Sequence, residues 1–600
     1  VPHADASALT REGAFQLLDQ YDTLRTWTKV PDLEEAARSL GLELKFVDEE
    51  ARRRHELFKR LATTPFEVRS PFLEEHKLYP FQHAGMNLAT EIERTLIQWD
   101  TGAGKTLLGS LVTQKLFDLG EIDLAIIVCK RAKLQDWEEY VQDATYLKVE
   151  RIEGDRKKRH ARYEETDAQV LVMNYEKLRY PGKHKSGKDR GKSDWSKTDL
   201  WQIVSLTDGK RVLFVFDEAQ KIGNRDSLVS KGVRGLVNPS PSSRRAPSKV
   251  RMIALTATPY TTSPYNIRNI FLALKPQMAL VSCNKDEFDA EYVSDMGMFG
   301  VRKWNERNLP KLGKRIESLS HVAMKSDPLI AAQFPKMVER PIRLEMSESD
   351  RRVYDAIVDV AHSQWGENNP MANLANFQLL RMICDTAESL RYSSSPLAQE
   401  LVESRRYKLD TSTSAKYEAV ESLCETIIEA DDKIVLFTYW ANAVIKPYLA
   451  LLRKRFDGIP VFEYAGTTMK DGDREYAKRE FNATKGGGIL LMSDAGQEGL
   501  NLYAPYLAHI EMPYTYSGYK QRRDRIHRSD SIAKGIERVW IYRYWIDGTV
   551  EQRVNDKVFQ RKHHAELIQG TPDVVLETDG GDETLTRDEM YKLMFGDRGR

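Results

Sequence analysis

Two short stretches hold the residues whose types and spacing could do chemistry. The first is Trp99-Asp100-Thr101-Gly102-Ala103-Gly104-Lys105-Thr106, and the second is Asp217-Glu218-Ala219-Gln220. A glycine-rich turn ahead of a helix directs backbone N–H groups at an anion, and the helix N-terminus adds its positive dipole end. Gly102, Ala103 and Gly104 would form that turn. Lys105 would then reach the β- and γ-phosphates of ATP, and the Thr106 hydroxyl would ligate Mg²⁺. A carboxylate at a strand end can hold the same ion, usually through water, which suits Asp217. Its neighbour Glu218 can orient and deprotonate an attacking water. The strict phosphate-loop pattern has glycine where Trp99 stands, so the loop takes much of its meaning from the acidic pair downstream.

Both stretches require a strand before them. The run Thr95-Leu96-Ile97-Gln98 leads into the loop, Leu107-Leu108-Gly109-Ser110-Leu111-Val112 continues it as a helix, and Val212 to Phe216 leads into Asp217. Further short apolar runs at Ala125–Val128, Val170–Met173 and Met252–Leu255 alternate with amphipathic helical segments. That alternation is the pattern of a parallel α/β sheet, whose ligands bind beyond the carboxyl ends of the strands. A second series begins at Ile434–Phe437 and continues at 461–464, 488–492, 508–512 and 539–544. The expected fold class is therefore α/β, with two parallel-sheet lobes. The domain plan is a helical accessory region over residues 1–75, a first, ATP-binding lobe over 76–276 and a mostly helical insert over 277–410. A second lobe over 411–550 follows, then a closing helix and an acidic, mobile tail over 551–600.

Composition narrows the class. With 600 residues the chain is too long for a single core. Hydrophobic residues at 41% and charged residues at 30% describe a globular protein, and the net charge of +1 excludes a uniformly basic nucleic-acid coat while allowing a local basic groove. The four cysteines are far apart and form no metal-ligand spacing, which fits a reducing, intracellular setting. No membrane-length apolar run and no signal-peptide pattern is found. The expected location is the cytoplasm or nucleoid, with the nucleus open as well.

In order along the chain, these motifs resemble those of superfamily-two helicase-type ATPases, and within them the Swi/Snf family of double-stranded-DNA translocases. The likeness runs from about Leu78 to Gly570. Leu78-Tyr79-Pro80-Phe81-Gln82-His83-Ala84-Gly85 resembles the adenine-recognition element, which implies that Gln82 bonds the base edge. Val128-Cys129-Lys130-Arg131-Ala132-Lys133-Leu134-Gln135-Asp136-Trp137 is similar to the first strand-contact motif, with Lys130 as a phosphate contact and Trp137 as core. Met173-Asn174-Tyr175-Glu176 implies that Asn174 and Tyr175 help track nucleic acid. Leu255-Thr256-Ala257-Thr258-Pro259 is similar to the coupling motif that links the acidic pair to the cleft between lobes. Leu344 to Tyr354 resembles the helical protrusion of the family.

In the second lobe, Ala415-Lys416-Tyr417 leads into Lys433 to Tyr439 in the family order. Tyr464-Ala465-Gly466-Thr467-Thr468 implies backbone contacts by Gly466 and Thr467. Ser493-Asp494-Ala495-Gly496-Gln497-Glu498-Gly499-Leu500-Asn501-Leu502 implies a nucleic-acid contact at Ser493 and a nucleotide contact at Gly499. Gln521-Arg522-Arg523-Asp524-Arg525-Ile526-His527-Arg528 implies nucleotide binding by Gln521 and catalytic arginines at Arg525 and Arg528. Placed one turn apart on a helix, these two arginines would share a face. Ile546-Asp547-Gly548-Thr549-Val550-Glu551 resembles the closing brace. The chain departs from the family at Trp99, where an acid is usual, and at Gln220, where histidine is usual. It departs again at Tyr514-Thr515-Tyr516 in place of Trp-Asn-Pro, and at Ser529-Asp530 in place of Gly-Gln.

The resemblance implies two RecA-like lobes that bind ATP·Mg²⁺ and move along duplex DNA, remodelling or displacing what is bound there, with single-stranded DNA or RNA as lesser ligands. Protein partners would engage Val1 to Ser70. Two other readings stay open: a strand-separating DNA or RNA helicase, including one of viral transcription, and an ATP-switched scaffold in a larger nucleoprotein assembly. If Trp99 only packs behind the loop, Trp99→Asp leaves ATP affinity nearly unchanged.

Overall fold

The computed structural model describes residues 49–181, 195–257, 259–260, 263–296, 302–325, 328–364, 370–466, 469–493 and 500–569. The expected helices before residue 49, Thr467, Gly499 and the acidic tail lie outside them. The described chain forms two compact units, one from residues 49–296, 302–325 and 564–569, the other from 328–563.

The first unit carries strands β1 (Arg94–Trp99), β2 (Leu124–Cys129), β3 (Val149–Arg151), β4 (Val170–Asn174), β5 (Arg211–Asp217) and β6 (Lys249–Thr256). Beside them, β7 (Val293–Met296) and β8 (Arg302–Trp304) pair as a separate antiparallel hairpin, and β9 (Ser320–Ala323) completes the main sheet. The main sheet is wholly parallel, in the order β3-β4-β2-β5-β6-β1-β9. β2 and β4 are buried along their whole length, as strands covered by helices on both faces must be. Helix α1 (Glu49–Thr63) packs on α2 (Pro80–Glu91), α3 (Lys105–Asp118) follows β1, and α4 (Leu134–Ala144) follows β2.

The second unit has its own parallel sheet. Its strands are β10 (Lys336–Leu344), β11 (Lys433–Thr438), β12 (Val461–Tyr464), β13 (Gly488–Ser493), β14 (Tyr506–His509) and β15 (Arg538–Ile546), in the order β10-β15-β14-β11-β13-β12. Helices α5 (Glu348–Gln364) and α6 (Pro370–Asp385) pack together, α7 (Ala415–Glu429) leads into β11, and α8 (Tyr516–Arg523) and α9 (Val550–Gln569) follow β14 and β15. The α/β class and the two parallel sheets agree with the sequence reading. Among the described residues, no helix is long and apolar enough to cross a membrane.

The stretch 277–410, expected as a mostly helical insert, also contributes strands to both sheets. It contains α5 and α6, and it gives β9 to the first sheet and β10 to the second. Both lie at sheet edges. β9 is only four residues long, and β10 alternates with charged side chains and carries Pro341, which an edge strand tolerates. Neither has the apolar run by which an interior strand is recognised.

Candidate nucleotide site

The loop after β1 is fixed from three sides. The Asp100 N–H donates to the Ala323 carbonyl at 2.9 Å, and the Asp100 carboxylate accepts from the Lys325 N–H at 2.8 Å, so β9 and its exit hold the first turn of the loop. Gln82 sits in the first turn of α2. Its Oε1 accepts from the Tyr79 N–H at 2.9 Å, and its Nε2 donates to the Ala103 carbonyl at 3.1 Å. Lys105 opens α3 and donates from Nζ to the Trp99 carbonyl at 2.8 Å. Gly104 has φ +94°, and a Cβ there would stand 2.7 Å from Gln82 Nε2. The left-handed backbone favours glycine, and a larger residue would also displace the Gln82 amide. Thr106 follows in the first turn of the helix.

Trp99 is fully buried. Its indole N–H donates to His321 Nδ1 at 2.7 Å, and Phe81 meets its ring edge-on at 5.2 Å between centroids. The tryptophan is therefore packed inside the lobe, and only its carbonyl takes part in the loop, through Lys105.

The acidic pair closes β5. Asp217 is the last residue of the strand, and its Oδ2 accepts from the indole N–H of Trp137 at 2.8 Å. The Tyr175 hydroxyl donates to the Asp217 carbonyl at 2.6 Å. Burial raises the Asp217 carboxyl above the usual carboxylate range, the neighbouring Glu218 charge raises it further, and the Trp137 hydrogen bond opposes both. Glu218 adopts φ +54°, a left-handed conformation uncommon for a non-glycine residue and enriched at functional sites. Gln220 spans the two motifs. Its Nε2 donates to the Glu218 carboxylate at 2.7 Å, and its Oε1 accepts from the Thr256 hydroxyl at 2.7 Å. A carboxylate can only accept, so these partners fix the orientation of the amide.

Of the residues expected to touch nucleic acid, Lys130 lies half-buried just beyond β2. Asn174 and Tyr175 are placed otherwise than expected. Asn174 is buried at the end of β4 and bonds the Glu176 carboxylate, while Tyr175 is buried, stacks on Phe216 and supports Asp217. The apolar context of β4 and β5 draws the Tyr175 ring inward. In this structure its hydroxyl is engaged by the backbone at the end of β5. In the second unit, Ser493 ends β13 and its hydroxyl accepts from the Gly466 N–H at 3.2 Å, so two separate motifs meet there. Both line a pocket of about 450 Å³ together with Tyr439 and Trp440.

The arginine motif also differs from expectation. Helix α8 ends at Arg523, Asp524 caps it, and Arg528 has extended backbone at φ −129°, so Arg525 and Arg528 do not share a helical face. Asp524 bonds the helix end and breaks the periodicity that the arginine spacing suggests. Arg525 is buried and donates to the carbonyls of Gln521 at 3.2 Å and Leu500 at 3.3 Å. Arg528 pairs with Asp530 at 3.1 Å. Arg522, which the motif reading gave no role, is fully buried and donates to the carbonyl and carboxylate of Glu511. The buried Oε1 of Gln521 finds no donor among the described residues.

Sequence reading passed over Trp137 as core and Gln220 as a departure, yet both bond the acidic pair. Their polar atoms were the available signal, since a buried indole N–H or amide must find a partner. The donor set of the first unit suits a nucleotide with Mg²⁺. It offers a hydroxyl, a carboxylate and a glycine cradle beside a lysine. Among the described residues no group of three or more His, Cys, Asp or Glu could hold a metal by itself.

Two family models match this chain. The model of the SNF2-related domain matches residues 81–389, and that of the helicase conserved C-terminal domain matches residues 415–530. The uncharacterized ATP-dependent helicase MG018 of Mycoplasma genitalium is 23% identical over 477 residues, which are 78% of this chain and 39% of that protein. The chain thus spans well under half the length of that relative. Among solved structures, the Sulfolobus solfataricus SWI2/SNF2 ATPase core in complex with double-stranded DNA is 18% identical with a TM-score of 0.36, covering 88% of this chain and 99% of that one. The Pyrococcus furiosus Hef helicase domain is 14% identical with a TM-score of 0.48, covering 82% and 99%.

Proposed function

The chain belongs to the SNF2-related family of helicase-type ATP hydrolases, and from that premise we propose that it uses ATP to move along double-stranded DNA, remodelling or displacing proteins bound there. The observation that carries the reading is the chain of bonds from Glu218 through Gln220 to Thr256, set beside the lysine-bearing loop. Glu218 accepts the proton of the attacking water. Gln220 holds that carboxylate and passes its position to the coupling motif. Lys105 exchanges the Trp99 carbonyl for phosphate, and Gly102, Ala103 and Gly104 give it their backbone N–H groups. Mg²⁺, held by Thr106 and Asp217, supplies charge neutralisation on the phosphates when bound.

Gln82 reads the adenine edge, Gln521 contributes its amide to the nucleotide together with Gly499, and Arg525 and Arg528 stabilise charge developing on the γ-phosphate. Lys130, Gly466, Thr467 and Ser493 serve the nucleic acid, largely at its backbone. Binding is accordingly insensitive to sequence and sensitive to salt.

The test is ATP turnover with duplex DNA, single-stranded DNA and RNA, and with none. Duplex should stimulate most, and equal turnover without nucleic acid would overturn the reading. The helicase name of the Mycoplasma relative favours strand separation as a second reading. Release of a strand from a tailed duplex would support it over translocation on intact duplex.

A further inference from the structure

We infer that Trp137 is a positioning residue for the Mg²⁺-binding carboxylate, and that it carries nucleic-acid engagement at the Lys130 loop to the nucleotide site. The inference rests on the ATPase reading above and adds the regulation of that site. Trp137 lies in the first turn of α4, and it is 1% exposed. The turn Arg131–Lys133 leads directly into this helix, and Lys130 precedes the turn at the end of β2. The positively charged loop is therefore joined without a break to the helix that carries the indole.

The ring is wedged between the two elements that carry the nucleotide groups. On one side is α3, whose N-terminus bears Lys105 and Thr106. A Cβ at Gly109 of that helix would stand 2.8 Å from Trp137 Cη2 and 3.4 Å from Val215 Cγ1, so the absence of a side chain there admits the indole between α3 and β5. On the other side is the end of β5, where the indole N–H donates to Asp217 Oδ2 at 2.8 Å. A core tryptophan could satisfy its N–H on any carbonyl. This one is committed to the carboxylate oxygen of the metal-binding acid, which fixes that side chain and leaves Oδ1 to serve the ion. Outer partners of this kind orient a metal ligand, and their loss typically weakens metal affinity by about tenfold or more.

The test uses Trp137→Phe in the full 600-residue chain, with calorimetric binding of ADP at varied Mg²⁺ and turnover with and without duplex DNA. The Mg²⁺ concentration for half-maximal ADP binding should rise about tenfold. ADP binding without Mg²⁺ and the affinity for duplex should stay as in the wild type, and the factor by which duplex raises turnover should fall severalfold. An unchanged Mg²⁺ requirement, or an unchanged stimulation factor in the variant, overturns the inference. If Trp137→Phe does not fold by circular dichroism, Gly109→Ala takes its place, because it displaces the indole while keeping every polar atom. It must then raise the Mg²⁺ requirement, and failure to do so overturns the inference equally. A wild-type enzyme that no nucleic acid stimulates overturns the translocase reading and the coupling together. A stimulated wild type with a fully stimulated variant overturns the inference alone.

Discussion

The indole N–H of Trp99 donates to Nδ1 of His321 at 2.7 Å, joining side chains of two adjacent parallel strands, β1 and β9. The bond requires His321 to be neutral at Nδ1, with its proton on Nε2. Burial enforces this, pushing the imidazole down to about 3. An unfolded histidine takes up its proton near pH 6.5, so between about pH 6.5 and 3 the unfolded state binds more protons than the folded one. Stability of the first unit should therefore fall as pH drops through this window, by on the order of 5 kcal/mol in full. His321→Gln keeps an acceptor for Trp99 and should flatten that part of the profile. Denaturant unfolding at several pH values between 4 and 7.5 measures it, and an equal slope in the variant would contradict the assignment.

Trp99 itself is a stability residue. Trp99→Phe keeps most of the packing against Phe81 but leaves His321 without its donor, a loss of about 1–3 kcal/mol. Trp99→Asp should cost about 3–5 kcal/mol or more, because it empties the ring site and buries a carboxylate. The phenylalanine variant is thus the sound probe of the loop. Its ATP affinity should match the wild type while its melting temperature falls by several degrees. A large loss of affinity in Trp99→Phe would show that the indole acts on the nucleotide.

Glu218→Gln removes the base and leaves the cradle intact, so turnover should fall by about 10²–10⁴ with ATP binding retained. Gln220→Ala cuts both bonds of the relay, and loss of the one to the Glu218 carboxylate should lower turnover by about tenfold. Single-turnover hydrolysis alongside equilibrium ATP binding separates these effects. Tight ATP binding with undiminished hydrolysis in Glu218→Gln would remove Glu218 from its role.

In the second unit, Lys416 of α7 is completely buried and donates to Asp385 at 2.7 Å and to both oxygens of Glu551 at 2.6 and 2.7 Å. The three residues lie on α7, α6 and the first turn of α9. Lys416→Met would leave two buried carboxylates facing each other, at a cost of about 3–5 kcal/mol. Hydrogen exchange of α6, α7 and the start of α9 should accelerate together. Protection unchanged in α9 would show that the triad does not anchor that helix.

Interior strands were legible because they are apolar runs ended by functional residues: the acidic pair follows Val212 to Phe216, and the phosphate loop follows Thr95 to Gln98. Edge strands were not, since β9 and β10 depend on one neighbour each and need no continuous apolar stretch. Spacing singles out Lys105, Asp217 and Glu218, but the side chains that bond the acidic pair, Trp137 and Gln220, cannot be read from it. The contact between Trp137 and Asp217 crosses 80 residues, and that between Trp99 and His321 crosses 222. Such pairs are set by sheet order, which local periodicity does not contain. The arginine motif misled for the opposite reason. Its spacing is helical, but Asp524 caps the helix before the second half of the motif begins.

Gln220 gives the relay a character that a histidine there would not have. An imidazole between Glu218 and Thr256 would gain and lose charge near neutrality, and its bond to the carboxylate would strengthen in acid and weaken in base. An amide has no proton to exchange. Its two ends are chemically distinct, one only donating and the other only accepting, so the link has a fixed polarity running from the threonine hydroxyl to the carboxylate. The amide thus adds no titrating group of its own between the Glu218 carboxylate and the Thr256 hydroxyl.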